Sequence, residues 1–292
     1  ANALRGSGAW GRRWPIRDAS PSMSAHVSYR SVFISDVHLG TPDCRADYLL
    51  DFLDHCHCDR LYLVGDIIDL ERMRRRTVWP RSHSQVIAAV QAKAAQGTEV
   101  IYIPGNHDAA MRGLAGQTLN GIQIRTEAVH ATADGRRLLV RHGDELDGST
   151  HYPAWFQGLL DRGYNLLLAA NRGIASLRSA CGLPYWSLTM ALKTVLPAAQ
   201  GYIRRFEAAA IASARAEGYD GYVGGHIHQG TIRAEHGVVY CNDGDWVEHC
   251  TGLIETAAGE LQLIHWAEQP QRVASAPLPT APVLDPALAA SE

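Results

Sequence analysis

Seven side chains of types that bind metal ions stand just beyond the ends of apolar runs: Asp36, His38, Asp66, Asn106, His142, His226 and His228. Asp36 and His38 follow Val32-Phe33-Ile34-Ser35, Asp66 follows Leu61-Tyr62-Leu63-Val64-Gly65, and Asn106 follows Ile101-Tyr102-Ile103-Pro104-Gly105. One Asp or His at the end of a strand is ordinarily a turn former or a satisfied polar group. Seven of them, delivered by separate segments, read instead as one ligand set. Two aspartates, one asparagine and four histidines exceed what a single ion takes. The natural division is two ions about 3.5 to 4 Å apart sharing a carboxylate, and Asp66, alone on its strand, is the expected bridge. Mixed imidazole and carboxylate donors suit Mn, then Fe or Zn, better than Mg or Ca.

Positioning these groups needs strands that all end at one edge of a sheet, where open α/β folds place their ligands. Residues 29–35, 60–64 and 99–103 read as short buried strands. Pro42-Asp43 is expected to start a helix whose Ala46, Leu49, Leu50 and Leu53 form a core-facing stripe. Ser82 is expected to cap a second helix that runs to about Gln96 and stops at Gly97. The alternation makes this half α/β, with parallel strands and right-handed crossovers. Past Gly121 the pattern changes to hairpins: 127–133 with 136–142 across Asp134-Gly135, 231–235 with 238–242, and 252–256 with 260–266, besides a lone buried strand at 221–225. The second half should thus supply a more antiparallel sheet that packs on the first.

The organisation expected is a Gly/Arg/Ser/Pro-rich disordered leader (1–28), a core (29–148 and 218–267), a helical cap (149–217) and a Pro/Ala-rich disordered tail (268–292). The cap's aromatic load, including Trp155 and Trp186, suits plain packing or a groove for an apolar substrate. The composition is that of a soluble globular protein, and no run reaches the ~20 apolar residues of a membrane span. The N-terminal stretch has no apolar core of a secretory signal, so a cytoplasmic protein is expected. A formal charge of −3 argues against a polyanion-coating surface and hence a nucleic-acid partner. A local basic run, Arg72, Arg74, Arg75 and Arg76, is either a solvated loop or a contact for phosphate. The six cysteines lack the spacing of a disulfide framework, so reduced thiols are expected. His55-Cys56-His57-Cys58 lacks the spacing of a zinc loop and reads as a helix end.

Asp-x-His at 36–38, Gly-Asp-x-x-Asp at 65–69, Gly-Asn-His-Asp at 105–108, His-Gly-Asp at 142–144 and Gly-His-x-His at 225–228 resemble, in that order, the calcineurin-like metallophosphoesterases. The resemblance implies a sandwich of two mixed sheets flanked by helices. It implies one metal on Asp36, His38, Asp66 and His228, and another on Asp66, Asn106, His142 and His226. Two divalent cations would make hydroxide available near neutral pH and neutralise the phosphoryl oxygens under attack. His107, whose side chain diverges from Asn106, is expected to bond a phosphoryl oxygen or protonate the leaving oxygen, with Asp108 orienting its ring. Asp69 and Asp144 are expected as supporting or turn residues, and His83, His130, His151 and His249 as bystanders.

Within that superfamily, residues 34–40, the arginine loop, 141–144, the helical insertion and 242–248 are most similar to the bacterial UDP-2,3-diacylglucosamine pyrophosphohydrolases of lipid A synthesis. That implies a nucleotide-lipid substrate met at the inner membrane surface. His107 departs from the pattern, since those enzymes often carry arginine there. The departure leaves open a phosphodiesterase or phosphatase acting on a soluble or other lipid-linked ester. A non-catalytic scaffold would lack ligands or the catalytic histidine, and here none is missing.

Overall fold

The computed structural model describes residues 27–149, 197–266 and 273–275, with positions 170, 173, 174, 177 and 181. Nearly all of the expected leader, nearly all of the cap between 150 and 196, including Trp155 and Trp186, and most of the tail lie outside the described residues.

The first sheet is built on three parallel strands, β1 (Val27–Ile34), β2 (Cys56–Val64) and β3 (Glu99–Ile103). Their C-terminal halves are buried on both faces, which explains the unbroken apolar runs. Alternate residues enter two different cores. Val32, Ile34, Leu61, Leu63, Val100 and Tyr102 pack with helices α1 (Ala46–His55) and α3 (Arg81–Ala95). Phe33, Tyr62, Val64, Ile101 and Ile103 face the second sheet. There Phe33 stacks on Tyr62 at 4.6 Å. The one-turn helix α2 (Leu70–Met73) follows the Asp66 loop.

The first helix begins later than its expected signal and the third begins earlier. Helix α1 starts at Ala46, and Phe52 rather than Leu50 joins Ala46, Leu49 and Leu53 on its buried face. Helix α3 is entered from Pro80, whose extended backbone leads the chain in, so Ser82 lies in the first turn and caps nothing. Gly97, at φ +102°, ends it as expected.

Beyond β3 come the small strands β4 (Thr118–Leu119) and β5 (Ile122–Ile124), then the hairpin of β6 (Ala128–Ala131) and β7 (Arg137–Val140). Strands β8 (Gly221–Gly224), β9 (Thr231–Glu235) and β10 (Val238–Asn242) complete a second sheet of order β6-β7-β8-β10-β9. Two expectations are corrected here. This sheet is mixed, as the resemblance implied, and not the more antiparallel one expected from the hairpin pattern, because β7, β8 and β10 are mutually parallel. The C-terminal hairpin, β11 (Thr251–Glu255) with β12 (Leu261–His265), joins the first sheet through β1. Strand β13 (Val273–Ser275) adds an edge to β12 inside the stretch expected as a disordered tail, at a point free of proline, where an edge strand can pair. The first sheet thus runs β13-β12-β11-β1-β2-β3-β5-β4.

Helix α4 (Pro197–Ala216) covers the outer face of the second sheet, packing Ile203, Phe206, Ala210, Ile211 and Ala214 on Leu139, Tyr222 and Tyr240. The far end of the segment expected as a cap is therefore a layer of the sandwich. The architecture is two mixed sheets face to face with helices outside, as the motifs implied. His55 ends α1 and Cys56 to Cys58 open β2, on whose pleat successive side chains point to opposite faces. All six cysteines are free.

Candidate metal centre

Because β1, β2, β3, β7 and β8 all run parallel to a neighbour within their sheets, the loops after them emerge along the same edge of the sandwich. Those loops carry the seven expected ligands. Five of the seven, Asp36, His38, Asp66, His226 and His228, have positive φ between 49° and 70°. L-residues seldom adopt that conformation, and such strain persists where surrounding contacts over-determine it. Gly65 and Gly105 are needed for a different reason. A Cβ at Gly65 would come within 2.2 Å of the His142 ring, and one at Gly105 within 2.3 Å of Asp66 Oδ1.

Three imidazoles are held by the same device. The Nδ1 of His38 lies 3.0 Å from Asp69 Oδ2, that of His107 3.0 Å from Asp69 Oδ1, and that of His142 2.8 Å from the Val64 carbonyl oxygen. These oxygens accept, so each ring keeps its proton on Nδ1 and presents Nε2 inward. The Nε2 atoms of His38 and His142 are buried and make no hydrogen bond among the described residues. His142 Nε2 is 3.4 Å from Asp66 Oδ2, while Nε2 of His38 and of His107 are each 3.9 Å from it. His228 Nε2 stands 3.1 Å from Asp36 Oδ1. Three overlapping groups could each hold an ion: Asp36 with His38 and His228, Asp66 with His38 and His107, and Asp36 with Asp66 and His142. Buried, orphaned imidazole nitrogens facing paired carboxylates are the donor set a divalent transition metal takes.

The remaining expected residues fall as follows. Asn106 is exposed on the loop between Gly105 and His107, whose backbone N–H donates to Asp66 Oδ1 at 2.8 Å. His226 Nε2 is turned to Asp147 Oδ2, 2.7 Å away, while its ring lies 5.2 Å from that of His142. Arg72 pairs with Asp43 at 3.0 Å, and Arg74, Arg75 and Arg76 are exposed.

Asp108 is a correction. It does not orient His107; it accepts the backbone N–H groups of Gly105 (2.6 Å) and Ile67 (2.8 Å) and the Tyr102 hydroxyl (2.5 Å). A carboxylate so placed ties the Asn106 loop to the Asp66 loop. Asp69 orients His107, and His38 as well. Asp147 and Tyr102 were not legible beforehand: Asp147 sits in an acidic 3₁₀ turn (Asp144–Ser149), and Tyr102 looks like any strand residue. Of the expected bystanders, His83 is buried and accepts the Gly40 N–H, and His130 bridges Tyr62 and Glu255 between the sheets.

The electrostatics follow from crowding. Burial by itself would raise Asp36, Asp66 and Asp69, but the neighbouring imidazoles outweigh it and hold all three well below the usual carboxylate range. Burial would lower His38, yet the nearby Asp36 carboxylate and the bond to Asp69 push it up to about 10, and Asp66 lifts His142. His38 is raised in the folded state, so its contribution to stability is complete below its ordinary pKa of 6.5 and is lost as pH climbs to about 10. The metal-free protein should therefore show a falling Tm across that window. Bound divalent metal, which displaces the proton, should flatten the slope. A flat profile without metal would show that His38 is neutral.

A sandwich of two mixed sheets with buried carboxylates and imidazoles gathered on its loop edge is a domain whose site suits divalent metal. The sequence profile of the "Calcineurin-like phosphoesterase" family matches residues 29–230, and the chain belongs to that family of metal-dependent phosphoester hydrolases. No curated protein matches it. Among solved structures it is similar to YfcE, a phosphoesterase from E. coli, at 14% identity and TM-score 0.46 over 85% of this chain and 99% of that one. It is also similar to Vacuolar Protein Sorting 29 from Cryptosporidium parvum, at 12% identity and TM-score 0.42 over 84% and 95% of the two chains. A third likeness is to an archaeal phosphodiesterase, at 14% identity and TM-score 0.38 over 80% and 98%. Among the described residues no helix is long and apolar enough to cross a membrane.

Proposed function

We propose that this chain hydrolyses a phosphoester with two divalent cations, Mn foremost, one on Asp36, His38, Asp66 and His228 and the other on Asp66, Asn106, His142 and His226. The observation that supports it best is the convergence of three imidazole Nε2 atoms on Asp66 Oδ2, at 3.4 to 3.9 Å. When bound, such ions neutralise phosphoryl oxygens and lower the pKa of water. The residues do the rest. With its Nδ1–H donating to Asp69, His107 turns Nε2 to the substrate, and as the imidazolium it donates from Nε2 to a phosphoryl oxygen or to the departing oxygen. Asp147 holds His226 Nε2, so His226 completes the second set when that bond opens or when the ring presents Nδ1.

For the substrate we favour the pyrophosphate of a UDP-diacylglucosamine-type nucleotide lipid, met in peripheral contact with the inner membrane surface. The sequence likeness at 34–40, 141–144 and 242–248 supports this, as do the exposed arginines on the turn after Asp69. His107 favours a second reading, a phosphodiesterase or phosphatase acting on a soluble ester. Purified protein with added Mn should turn over an aryl phosphodiester; failure to do so with any divalent metal would reject the hydrolase reading. Trp155→Ala or Trp186→Ala should impair a UDP-diacyl substrate far more than the aryl ester. Equal losses on both would reject an acyl groove.

A further inference from the structure

One hydroxyl stands between two buried carboxyl groups behind the metal-facing oxygen of Asp36. Ser35 Oγ lies 2.6 Å from Asp36 Oδ2 and 2.5 Å from Asp243 Oδ1, and all three residues are buried. A hydroxyl donates only one proton. Were both carboxyl groups ionised, one of these contacts would set acceptor against acceptor, so one of the two carries a proton. Asp36 is the poor candidate: its Oδ2 also accepts the His226 backbone N–H at 2.8 Å, and its Oδ1 faces His228 Nε2 at 3.1 Å. Among the described residues Ser35 is the one side chain that bonds the Asp243 carboxyl, whose Oδ2 is buried without a hydrogen bond.

We infer that Asp243 stands as a neutral carboxylic acid that donates to Ser35, which in turn donates to Asp36, and that this relay is a positioning device for metal binding. It rests on the two-metal reading above. Burial also pushes Asp243 well above the usual carboxylate range. The relay holds Oδ2 of Asp36 to the protein and leaves Oδ1 for an ion. The same short segment secures two neighbouring loops: Asn242 Nδ2 donates to the Gly225 carbonyl at 2.6 Å, and the Trp246 N–H donates to the Asp36 carbonyl at 3.0 Å. Groups that orient metal ligands in this way are typically worth ~10- to 100-fold in affinity.

The test is titration calorimetry of the metal-free chain with Mn, with the Tm of each metal-free variant measured alongside. Asp243→Asn keeps a donor toward Ser35 and should bind Mn within about threefold of the unsubstituted chain. Asp243→Ala and Ser35→Ala, which break the relay at different links, should each bind ~10- to 100-fold more weakly. Infrared difference spectra at neutral pH should show a protonated carboxyl band that Asp243→Asn removes. Wild-type affinity in both alanine variants would overturn the relay, and so would an Asp243→Asn loss equal to that of Asp243→Ala. Should Asp243→Ala not fold, Ser35→Ala and the infrared band decide. If the unsubstituted chain binds no metal, the fault lies with the two-metal reading, and the infrared band still reports on Asp243.

Discussion

Asp66→Asn is expected to reduce bound Mn from two ions per chain to one or none and to cut phosphodiester turnover by on the order of 10³-fold or more. The magnitude follows from losing more than one element of charge stabilisation at the reacting phosphoryl group, where a single donor is worth roughly 10²- to 10³-fold. The substitution keeps side-chain volume and the acceptor for the His107 N–H, so the loop that Asp66 Oδ1 organises should survive. What disappears is the negative charge that faces His142 at 3.4 Å and both His38 and His107 at 3.9 Å. Metal content by elemental analysis, read beside turnover, separates the possible outcomes. Two ions retained with normal rate would show that Asp66 is not shared. One ion lost with normal rate would show that a single metal suffices.

His107→Ala should keep both ions and lose rate, by ~10²- to 10⁴-fold if it acts as a general acid. A leaving-group comparison sharpens the expectation. An aryl ester, whose departing oxygen needs little protonation, should suffer less than an alkyl ester. Loss of metal in this variant would show that His107 is a ligand, as its membership of a group with His38 and Asp66 allows. Asp69→Asn is the companion test, because Asp69 holds the Nδ1 of both His38 and His107 at 3.0 Å. It should disturb metal affinity and rate together, whereas Asp108→Asn should act through the stability of the two loops it joins.

The sequence by itself determined which side chains end the buried strands. Apolar runs such as Val32 to Ile34 and Ile101 to Ile103 need burial on both faces, and a carboxylate or imidazole at their ends has nowhere to go except a loop at the sheet edge. That local logic also carried the family motifs and the two-sheet architecture. It reached less far where partners come from distant segments. Only tertiary structure decided that Asp69 rather than Asp108 orients His107, that Asp147 meets His226, and that Asp243 faces Asp36 across Ser35. The C-terminal hairpin joins the first sheet instead of the second for the same reason: alternation fixes which residues of a strand are buried, but which neighbour a strand pairs with is settled by the packing of the whole sandwich. Hydrogen-bond partners obey distance in space, and spacing along the chain reports that distance only within a turn or a strand.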